Sequence, residues 1–313
     1  MKELEILKII NRTLNTTQHI GDDCAYLKEF GIVITQDSLI ENIHFSLNYT
    51  TPYKLGAKSA LVNISDVLAS GATPKYLTIA LSLPKTIDNK FIEEFYKGIN
   101  DTALKFDIEI IGGDITGSEK NIFISICAIG STKDRNISSR ANAKEDYVII
   151  TSGEHGSSAA GLYLLKENIK TPNELIEEHL IPNISKEASE LISKNIQSQY
   201  AMMDSSDGIV DAVFKIAQAS NLSAEIDLDK IPFNEKIKNI SSNINYKNWI
   251  LYGGEDYKLI AAISKKDFEI IKNKNIFTEI GYITKKKEAP LYIKDKDTSL
   301  EIFELNNTFN HFD

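Results

Sequence analysis

Aspartate recurs along this chain in short blocks with glycine, serine or threonine, and this pattern restricts the fold more than any other feature. Most of the blocks adjoin an apolar run, so they fall where strands end and helices begin. One such block alone is an ordinary surface turn. Carboxylates that gather in one cleft repel each other and need cations to hold them there. We therefore expect one shared acidic site built from six blocks, namely Gly21-Asp22-Asp23, Thr35-Gln36-Asp37, Asn63-Ile64-Ser65-Asp66, Gly112-Gly113-Asp114, Asp204-Ser205-Ser206-Asp207-Gly208 and Gly253-Gly254-Glu255-Asp256.

The ligand chemistry of these blocks points to Mg²⁺. Aspartate and serine supply hard oxygen ligands, and Mg²⁺ characteristically binds one or two carboxylates together with the phosphates of a substrate. The sequence contains no Walker phosphate loop, since the small-residue stretch from Ser152 to Ser158 lacks the Gly-Lys-Ser/Thr ending. The blocks thus predict a magnesium-dependent enzyme that acts on phosphate esters.

Composition limits the class of protein. The chain has 313 residues, of which 42% are hydrophobic and 25% charged, as in an ordinary globular protein large enough for two domains. Its net charge of −9 argues against nucleic acid as a partner, because phosphate backbones are bound by surplus Lys and Arg. The acidic N-terminus is unlike a signal peptide, and no stretch approaches the roughly 20 apolar residues that span a bilayer. Cys24 and Cys127 lack metal-ligand spacing. These features predict a cytoplasmic protein with no membrane partner.

The first half of the chain has the pattern of an α+β layer. Apolar residues at helical spacing predict helices over residues 3–14, 52–69 and 88–106. β-Branched or alternating runs predict strands over residues 32–35, 76–83, 108–111 and 121–129. Helices that interleave with strands in this way predict a compact α+β domain.

A polar segment near residues 131–145 separates this half from the second. Beyond it strands and helices alternate, as expected for an α/β sheet covered by helices. Strands are predicted over residues 147–151, 200–203, 223–227, 257–263, 278–283 and 290–294. Helices are predicted up to residue 165 and over residues 173–180, 185–197 and 207–220. We predict an N-terminal domain over residues 1–137 and a C-terminal domain over residues 138–313.

Structural and functional interpretations compete at each block. Asp66 lies in an otherwise apolar helical segment, and a buried carboxylate needs a metal, a hydrogen-bond partner or a proton. The block from Asp204 to Gly208 follows a strand and opens a helix. Ser206 or Asp207 is therefore an N-cap, or part of a phosphate site at the same helix end, and the two roles are compatible.

Other residues stay open on residue type alone. Asp22 and Asp23 are adjacent, so their side chains diverge and at most one needs to bind a metal. Asp37 is expected at the end of a buried strand, a common place for a ligand. Arg140, at the domain boundary, is either a bidentate phosphate clamp or a surface arginine. A lone histidine such as His44 is more often structural than functional.

Taken in order, the blocks resemble the thiamine-monophosphate kinase family, within the superfamily of aminoimidazole ribonucleotide synthetase and selenophosphate synthetase. No single block is specific, whereas the ordered combination is, and it extends from about residue 20 to the C-terminus. The matching stretches are Gly21-Asp22-Asp23-Cys24-Ala25, Thr35-Gln36-Asp37, Asn42-Ile43-His44-Phe45, Lys58–Ala72, Ile111–Thr116, Asp204–Ile209 and Gly253–Leu259.

This resemblance implies the aminoimidazole ribonucleotide synthetase-like fold. In that fold an α+β N-terminal domain pairs with its twin in a homodimer to form an intersubunit β-barrel, and an α/β C-terminal domain follows. ATP would bind in the cleft between the domains. The implied reaction is direct in-line phosphorylation of thiamine monophosphate to thiamine diphosphate by ATP, assisted by several Mg²⁺ ions and without a protein base or nucleophile.

The resemblance also implies roles for individual residues. The implied metal ligands are Asp22, Thr35, Gln36 (through its backbone), Asp37, Asp66, Asp114, Asp204 and Asp207. The residues implied in ATP binding are Gly113, Asp114, Arg140 and Ser206. Those implied near the thiamine phosphate are His44, Glu255 and Phe309.

Three positions depart from the family pattern. Gln36 stands where the family usually has threonine, and Asp211 lies one residue before the usual acid, so no role is assigned to Asp211. Phe309 replaces tyrosine or tryptophan, which preserves ring stacking but not a phenolic hydrogen bond.

Two alternatives remain open. One is another ATP-using member of the superfamily, such as an aminoimidazole ribonucleotide synthetase. The other is a non-catalytic nucleotide-binding module with a decayed site, although decay would erase acidic ligands unevenly and nearly all of them are present here. Selenophosphate synthetase fits less well, because Cys24 lies outside the reactive glycine-rich setting of those enzymes.

Overall fold

Two β-sheets, one in each half of the chain, organise the computed structural model, which describes residues 3–15, 20–240, 245–296 and 298–302. The first sheet has the strand order β1-β2-β5-β3-β4. Its strands are β1 (Ala25–Leu27), β2 (Ile32–Ile40), β3 (Thr73–Pro84), β4 (Glu109–Ser118) and β5 (Phe123–Ser131). β4 runs parallel to β3, and the other neighbouring strands are antiparallel.

Helices of the first half cover one face of this sheet. They are α2 (Pro52–Ala69) and α3 (Asn89–Phe106), and α1 (Glu3–Thr13) precedes the sheet. The Thr51 side chain caps α2 by accepting a hydrogen bond from the Lys54 amide, and Pro52 occupies the first turn, where its missing N–H costs nothing. α2 and α3 approach closely because both carry a glycine at the contact. A Cβ atom on Gly56 or Gly98 would lie 2.0 Å from a carbonyl oxygen of the other helix.

Strand alternation gives the first sheet two different faces. Thr35 and Asp37 of β2 lie on the face toward α2, where the Thr35 hydroxyl donates to Asp66 and the Asp37 backbone amide donates to Asn63. Gln36 points to the opposite face and donates a hydrogen bond to Ser125 of β5. Within the described part of the chain this face is open and the sheet does not close into a barrel. The expected barrel would therefore require a second copy.

The second sheet is mostly antiparallel, with the order β12-β11-β8-β10-β6-β9-β7 and one parallel pair, β8 with β11. Its strands are β6 (Val148–Thr151), β7 (Ala201–Asp204), β8 (Ser223–Asp227), β9 (Leu259–Ile263), β10 (Thr278–Thr284), β11 (Leu291–Asp295) and β12 (Thr298–Ile302). The helices of this half are α4 (Ser157–Lys166), α5 (Asn173–Leu180), α6 (Lys186–Asn195), α7 (Ile209–Ala219), α8 (Tyr246–Tyr252) and α9 (Lys265–Ile271).

Both faces of the second sheet are packed. Ile149 of β6 lies in the apolar cluster formed with α7 and α8, whereas Ile150 lies in the cluster formed with α6 and α9. This two-sided burial explains why every residue of β6 and β9 is buried, instead of buried and exposed residues alternating.

Helix α2 lies between the two halves of the molecule. Every residue from Leu55 to Ala69 except Asp66 is buried. Ala69 packs in the cluster of α6 and the second sheet, and the Leu68 carbonyl accepts a 2.6 Å hydrogen bond from Ser189 of α6. The one partly exposed residue in this stretch, Asp66, therefore faces the cleft between the sheets.

Most of the predicted elements are present, and two differences concern the site. The strand predicted to end at Ile111 continues as β4 through the Gly112-Gly113-Asp114 block to Ser118. The two glycines adopt φ values of +153° and +157°, which glycine reaches readily, so a block typical of turns is accommodated inside a strand. β2 likewise continues to Ile40, so Asp37 lies inside a strand and not at its end, as was expected. The sequence patterns also do not predict β1, β12, α8 and α9. Among the described residues, no helix combines the length and apolar character needed to cross a membrane.

Candidate active site

Three carboxylates from distant parts of the chain meet in the cleft. Oxygen atoms of Asp23, Asp66 and Asp204 all lie within 4.8 Å of one another. Asp23 lies just before β1, Asp66 is in the last turns of α2, and Asp204 is the last residue of β7. Both halves of the chain therefore contribute to the carboxylate cluster, which we define as these three residues.

Neighbouring groups fix the orientation of these carboxylates. The Thr35 hydroxyl donates a 2.6 Å hydrogen bond to Asp66, and the Ser65 hydroxyl donates one of 2.5 Å to Asp204. The Ser206 amide donates to the other oxygen of Asp204 at 3.2 Å. The cluster is thus held by the strands, the helix and the loop that surround it.

The electrostatics of the cleft show an excess of negative charge. Burial raises the pKa of Asp23 to about 7, although the Arg140 guanidinium opposes the shift. Burial also raises the pKa of Asp37 to about 6, and the negative charges of Asp204 and Asp207 contribute to this increase. The pKa of Asp66 is raised well above its ordinary value by burial and by Asp37, Asp204 and Asp23. All three raised pKa values show that the ionised carboxylates have too little positive charge and too few hydrogen-bond donors around them.

Arg140 borders the carboxylate cluster at the junction of the two halves. Its backbone amide donates a 2.7 Å hydrogen bond to Asp22, and its guanidinium Nη2 donates one of 2.5 Å to Asp23. Its buried Nε has no hydrogen-bond partner among the described residues. A guanidinium with an unused donor beside a cleft is suited to an anionic ligand.

The N-terminus of α7 follows the block from Asp204 to Gly208 and therefore begins close to the carboxylate cluster. Gly208 precedes the helix with a φ of +102° and no side chain caps the first turn, so the expected N-cap at Ser206 or Asp207 is wrong. The first N–H groups of a helix have no partner within it and bind anions such as phosphate. On the same helix, Lys215 lies 3.2 Å from Asp207 and 2.7 Å from Asp211, whose pKa burial raises to about 6.

The carboxylate cluster fits Mg²⁺ on the chemistry of its donors. Carboxylate and hydroxyl oxygens are the ligands this ion prefers, and a divalent cation would offset the charge that raises the carboxyl pKa values. The residues that could hold it are Asp37, Asp66, Asp204, Asp207, Thr35 and one of the pair Asp22 and Asp23.

A second group of polar residues surrounds Glu255. Its carboxylate lies 2.9 Å from Lys58 Nζ and 3.4 Å from His179 Nδ1. The Tyr49 ring, in the loop between β2 and α2, packs edge-on to the His179 ring at a centroid distance of 6.1 Å. His44 lies in the same loop, where its Nδ1 accepts a hydrogen bond from the Ile40 amide.

Comparison with known proteins places the chain in a family. Residues 21–132 match the model of the AIR synthase related protein N-terminal domain, and residues 144–294 match the corresponding C-terminal domain. A thiamine-monophosphate kinase of Bacillus subtilis (strain 168) is 32% identical over 305 residues, which cover 94% of this chain and 93% of the relative. A thiamine-monophosphate kinase of Buchnera aphidicola subsp. Acyrthosiphon pisum is 35% identical and covers 96% of this chain and 94% of the relative.

The chain belongs to the thiamine-monophosphate kinase family. A solved structure described as AaThiL complexed with AMPPCP and TMP is similar to it, with a TM-score of 0.86 and 30% sequence identity. The similarity covers 99% of this chain and 97% of that one. Family membership therefore extends to both halves of the chain and to the cleft between them.

The structure brings together most of the metal ligands that the thiamine-monophosphate kinase resemblance implied. Hydrogen bonds and mutual electrostatic effects link Thr35, Asp37, Asp66, Asp204 and Asp207 around one cleft. Asp22 is exposed at the rim, beside Arg140, whereas its neighbour Asp23 enters the cluster. The Gln36 side chain faces away from the cleft, so only its backbone is on the cluster side.

Gly113 and Asp114 lie apart from the other implied ligands in the single chain. They are on β4, and β5 and β3 separate β4 from β2. Through the strand register, Asp114 aligns with Ala80, Ser125 and Ser38, which belong to the face opposite Asp37. Phe309, implied near the thiamine phosphate, is outside the described residues.

Several residues of the site were not assigned from the sequence. Ser65 lies inside one of the blocks, but its hydroxyl was not given a role. Lys58 lies two helical turns before Asp66, on the cleft side of α2. Its spacing from Asp66 is the feature of the sequence that could have assigned it to the site. His179 and Lys215 lie in segments without a recognisable motif, so nothing in the sequence marked them.

Proposed function

We propose that this chain transfers the γ-phosphoryl group of ATP to the phosphate of thiamine monophosphate, with Mg²⁺ as cofactor. The observation that carries the proposal is the convergence of the carboxylate cluster, Arg140 and the uncapped N-terminus of α7 on one cleft. AMPPCP is a non-hydrolysable analogue of ATP, and the related structure that holds it together with TMP supports both reactants.

The main obstacle to this reaction is charge, because both reactants are polyanions. Mg²⁺ would be held by Asp37, Asp66, Asp204 and Asp207, by Thr35 beside Asp66, and by either Asp23 of the carboxylate cluster or Asp22 at the rim. Bound Mg²⁺ supplies neutralisation of the phosphates and stabilises the charge on the group in transfer. Arg140, Ser206 and the N–H groups of α7 would bind the phosphates of ATP and orient them.

The acceptor phosphate is already an anionic oxygen nucleophile, so the transfer needs no strong general base. Positioning and charge stabilisation then account for catalysis, as in phosphoryl transfer generally. Glu255 and His44, on the side of the cleft lined by Tyr49 and His179, would bind the organic part of thiamine monophosphate, together with Phe309.

A homodimer would bring Asp114 to the site. Among the described residues β4 pairs only with β3, and β1 covers only residues 32–34 of β2, so both strands offer backbone groups for further pairing. If β4 of a second copy paired with the uncovered half of β2, the two sheets would close into a barrel and the second copy's Asp114 would come close to the strand that carries Asp37. Gly113 and Asp114 would then act on ATP and Mg²⁺ in the partner's cleft, within a cytoplasmic homodimer.

A substrate panel tests the proposed reaction against the alternatives. ADP release by the purified chain in Mg²⁺ should depend on thiamine monophosphate and yield thiamine diphosphate, with little release on thiamine. Turnover of an aminoimidazole precursor would favour the other superfamily enzyme. Tight ATP binding without ADP release on any acceptor would favour a non-catalytic nucleotide-binding module.

Subunit complementation tests the shared site. Asp114→Asn and Asp66→Asn should each be nearly inactive alone, because each removes one metal ligand. When the two variants are unfolded together and refolded, mixed dimers should regain activity, since one of their two sites is then intact. A mixture as inactive as its parents would show that Asp114 does not act across the interface.

A further inference from the structure

Glu255 has an unusual backbone conformation that fixes its position relative to the phosphate site. Its φ is +65°, in the left-handed region that non-glycine residues seldom adopt. Its amide donates a 2.6 Å hydrogen bond to the Ser206 carbonyl, in the loop that leads into α7. The strain is thus tied to a contact with the loop proposed to bind ATP, and strain of this kind is typical of functional sites.

The Glu255 carboxylate is held from the first half of the chain by Lys58. The Lys58 side chain is 5% exposed and that of Glu255 is 26% exposed, and their charged atoms are 2.9 Å apart. A lysine buried to this degree is costly, and such a pair is a weak source of stability. Orientation of the carboxylate is the better explanation, because Glu255 keeps an exposed portion that a ligand can reach.

His179 contacts the same carboxylate from α5. It is buried, and burial together with Lys58 holds its pKa well below the ordinary range, so the ring is neutral. Its Nδ1 is 3.0 Å from Ser158 Oγ and 3.4 Å from Glu255 Oε2, whereas its buried Nε2 has no hydrogen-bond partner among the described residues. A proton on Nδ1 is therefore favoured, because on Nε2 it would be a buried donor without an acceptor.

We propose that Lys58 and His179 are positioning residues that hold the Glu255 carboxylate ready to accept hydrogen bonds from an amino-substituted aromatic ring of the acceptor substrate. The inference rests on the proposed function, because thiamine monophosphate carries such an amino group on its pyrimidine ring. Lys58 binds one carboxylate oxygen and His179 approaches the other, so the plane of the carboxylate is fixed. The side chains of Lys58, His179 and Glu255 are not among the groups proposed to bind the phosphates of ATP.

The test compares the KM for thiamine monophosphate with the KM for ATP. Lys58→Met should raise the KM for thiamine monophosphate roughly 10-fold or more, the equivalent of one charge-assisted hydrogen bond, and leave the KM for ATP within about 2-fold. Lys58→Arg should restore most of the lost affinity. His179→Phe should also raise the KM for thiamine monophosphate, and His179→Asn, whose amide nitrogen replaces Nδ1, should raise it less.

Lys54→Met is the matched control. Lys54 lies one turn earlier on α2 and pairs with Glu177 of α5 at 2.7 Å, so this change breaks an ion pair between the helices that carry Lys58 and His179 without touching Glu255. Both KM values should stay at the wild-type level. Titration calorimetry of the wild type and the variants with thiamine monophosphate, in the absence of ATP, should show the same order of affinities.

Two results would overturn the positioning role. One is an unchanged KM for thiamine monophosphate in folded Lys58→Met and His179→Phe. The other is a parallel rise in both KM values, which a general disturbance of the cleft would cause. If Lys58→Met does not fold, the pair His179→Phe and His179→Asn decides the question. A wild-type enzyme that does not use thiamine monophosphate would instead reject the proposed function.

Discussion

The Ser65 hydroxyl donates a 2.5 Å hydrogen bond to the Asp204 carboxylate, although 139 positions separate the two residues in sequence. Ser65 belongs to α2 and Asp204 to β7, so this contact joins the two halves of the molecule inside the carboxylate cluster. It also compensates part of the charge of a buried acid whose pKa burial raises. The two halves are therefore coupled at the site itself.

Loss of this contact should be measurable as a coupling energy. We expect Ser65→Ala to lower the free energy of unfolding by about 1.5–3 kcal/mol, because Asp204 loses a hydrogen bond to a charged group. Ser59→Ala is the control, since the Ser59 hydroxyl is equally buried but donates to Leu55 in its own helix. A double-mutant cycle with Asp204→Asn, measured by urea denaturation, should give a coupling energy for Ser65 and Asp204; additive effects would contradict this prediction.

Removal of one charge from the cluster should stabilise the metal-free protein and inactivate it. In EDTA, Asp66→Asn should raise the free energy of unfolding by about 1–3 kcal/mol, because the amide keeps the hydrogen bond from Thr35 and removes an uncompensated carboxylate. Its turnover in Mg²⁺ should fall roughly 100-fold or more, by the loss of charge stabilisation.

The exposed substitution Glu93→Gln removes the same charge from the surface of α3 and serves as the control for Asp66→Asn. It should change stability by less than about 0.5 kcal/mol. In a thermal shift assay, Mg²⁺ should stabilise the wild type and Glu93→Gln more than Asp66→Asn. Equal stabilisation of all three by Mg²⁺ would contradict the placement of the metal at Asp66.

The buried residue His155 should make the protein sensitive to acid. Burial and Lys258 lower its pKa from 6.5 to about 3, so the native state keeps the ring neutral while the unfolded chain binds a proton below about pH 6.5. The contribution of His155 to stability is thus complete above pH 6.5 and is lost as the pH falls toward 3, by up to about 1.4 kcal/mol per pH unit.

His155→Gln isolates this effect, because glutamine cannot titrate and can still bond to Thr151, the partner of His155 Nε2. Between pH 7 and pH 4 the stability of the wild type should fall relative to that of the variant. Buried acids such as Asp256, whose pKa is raised to about 7, increase the stability as the pH falls, and they do so in both proteins. Parallel curves for the two proteins would show that His155 does not control the acid response.

The close approach of α2 and α3 should tolerate no added methyl group. We expect Gly98→Ala to lower the free energy of unfolding by about 2 kcal/mol or more, because the new Cβ would lie 2.0 Å from the Tyr53 carbonyl oxygen. This loss exceeds the roughly 1 kcal/mol that alanine gains over glycine in a helix. Asn100→Ala, at an exposed position of the same helix, should be neutral or slightly stabilising in the same denaturation experiment.

The sequence carries much of the fold and part of the site. Helices α2, α3 and α5 follow from apolar spacing and from their flanking residues, since the pattern repeats with the period of a helix. β4 was predicted too short, because Gly112 and Gly113 have the composition of a turn and nothing local records that β3 provides a partner strand. Propensity is local, whereas pairing with a distant strand is not.

The same limit applies to the site residues. Order and residue type are sufficient to predict that Asp66 and Asp204 belong to an acidic site, but not that Asp23 rather than Asp22 enters the cluster. That choice depends on the direction of the chain before β1. Asp114 and Asp37 lie on opposite faces of the sheet because of the strand order and register. A single sequence does not reveal either of these. The roles assigned to all of the site residues, Asp22, Asp114 and Phe309 among them, stay predictions.

The burial of α2 between both sheets affects how reactants enter. Separation of the two halves would expose apolar side chains of α2 that pack against both of them. This would cost about 25 cal/mol for each Å² of apolar surface exposed. Helix α2 therefore keeps the two halves at a fixed separation. It carries Lys58 near one end of the cleft and Asp66 near the other. Admission of ATP and release of product are then left to the loops at the rim, and the distance between donor and acceptor sites is set before either reactant arrives.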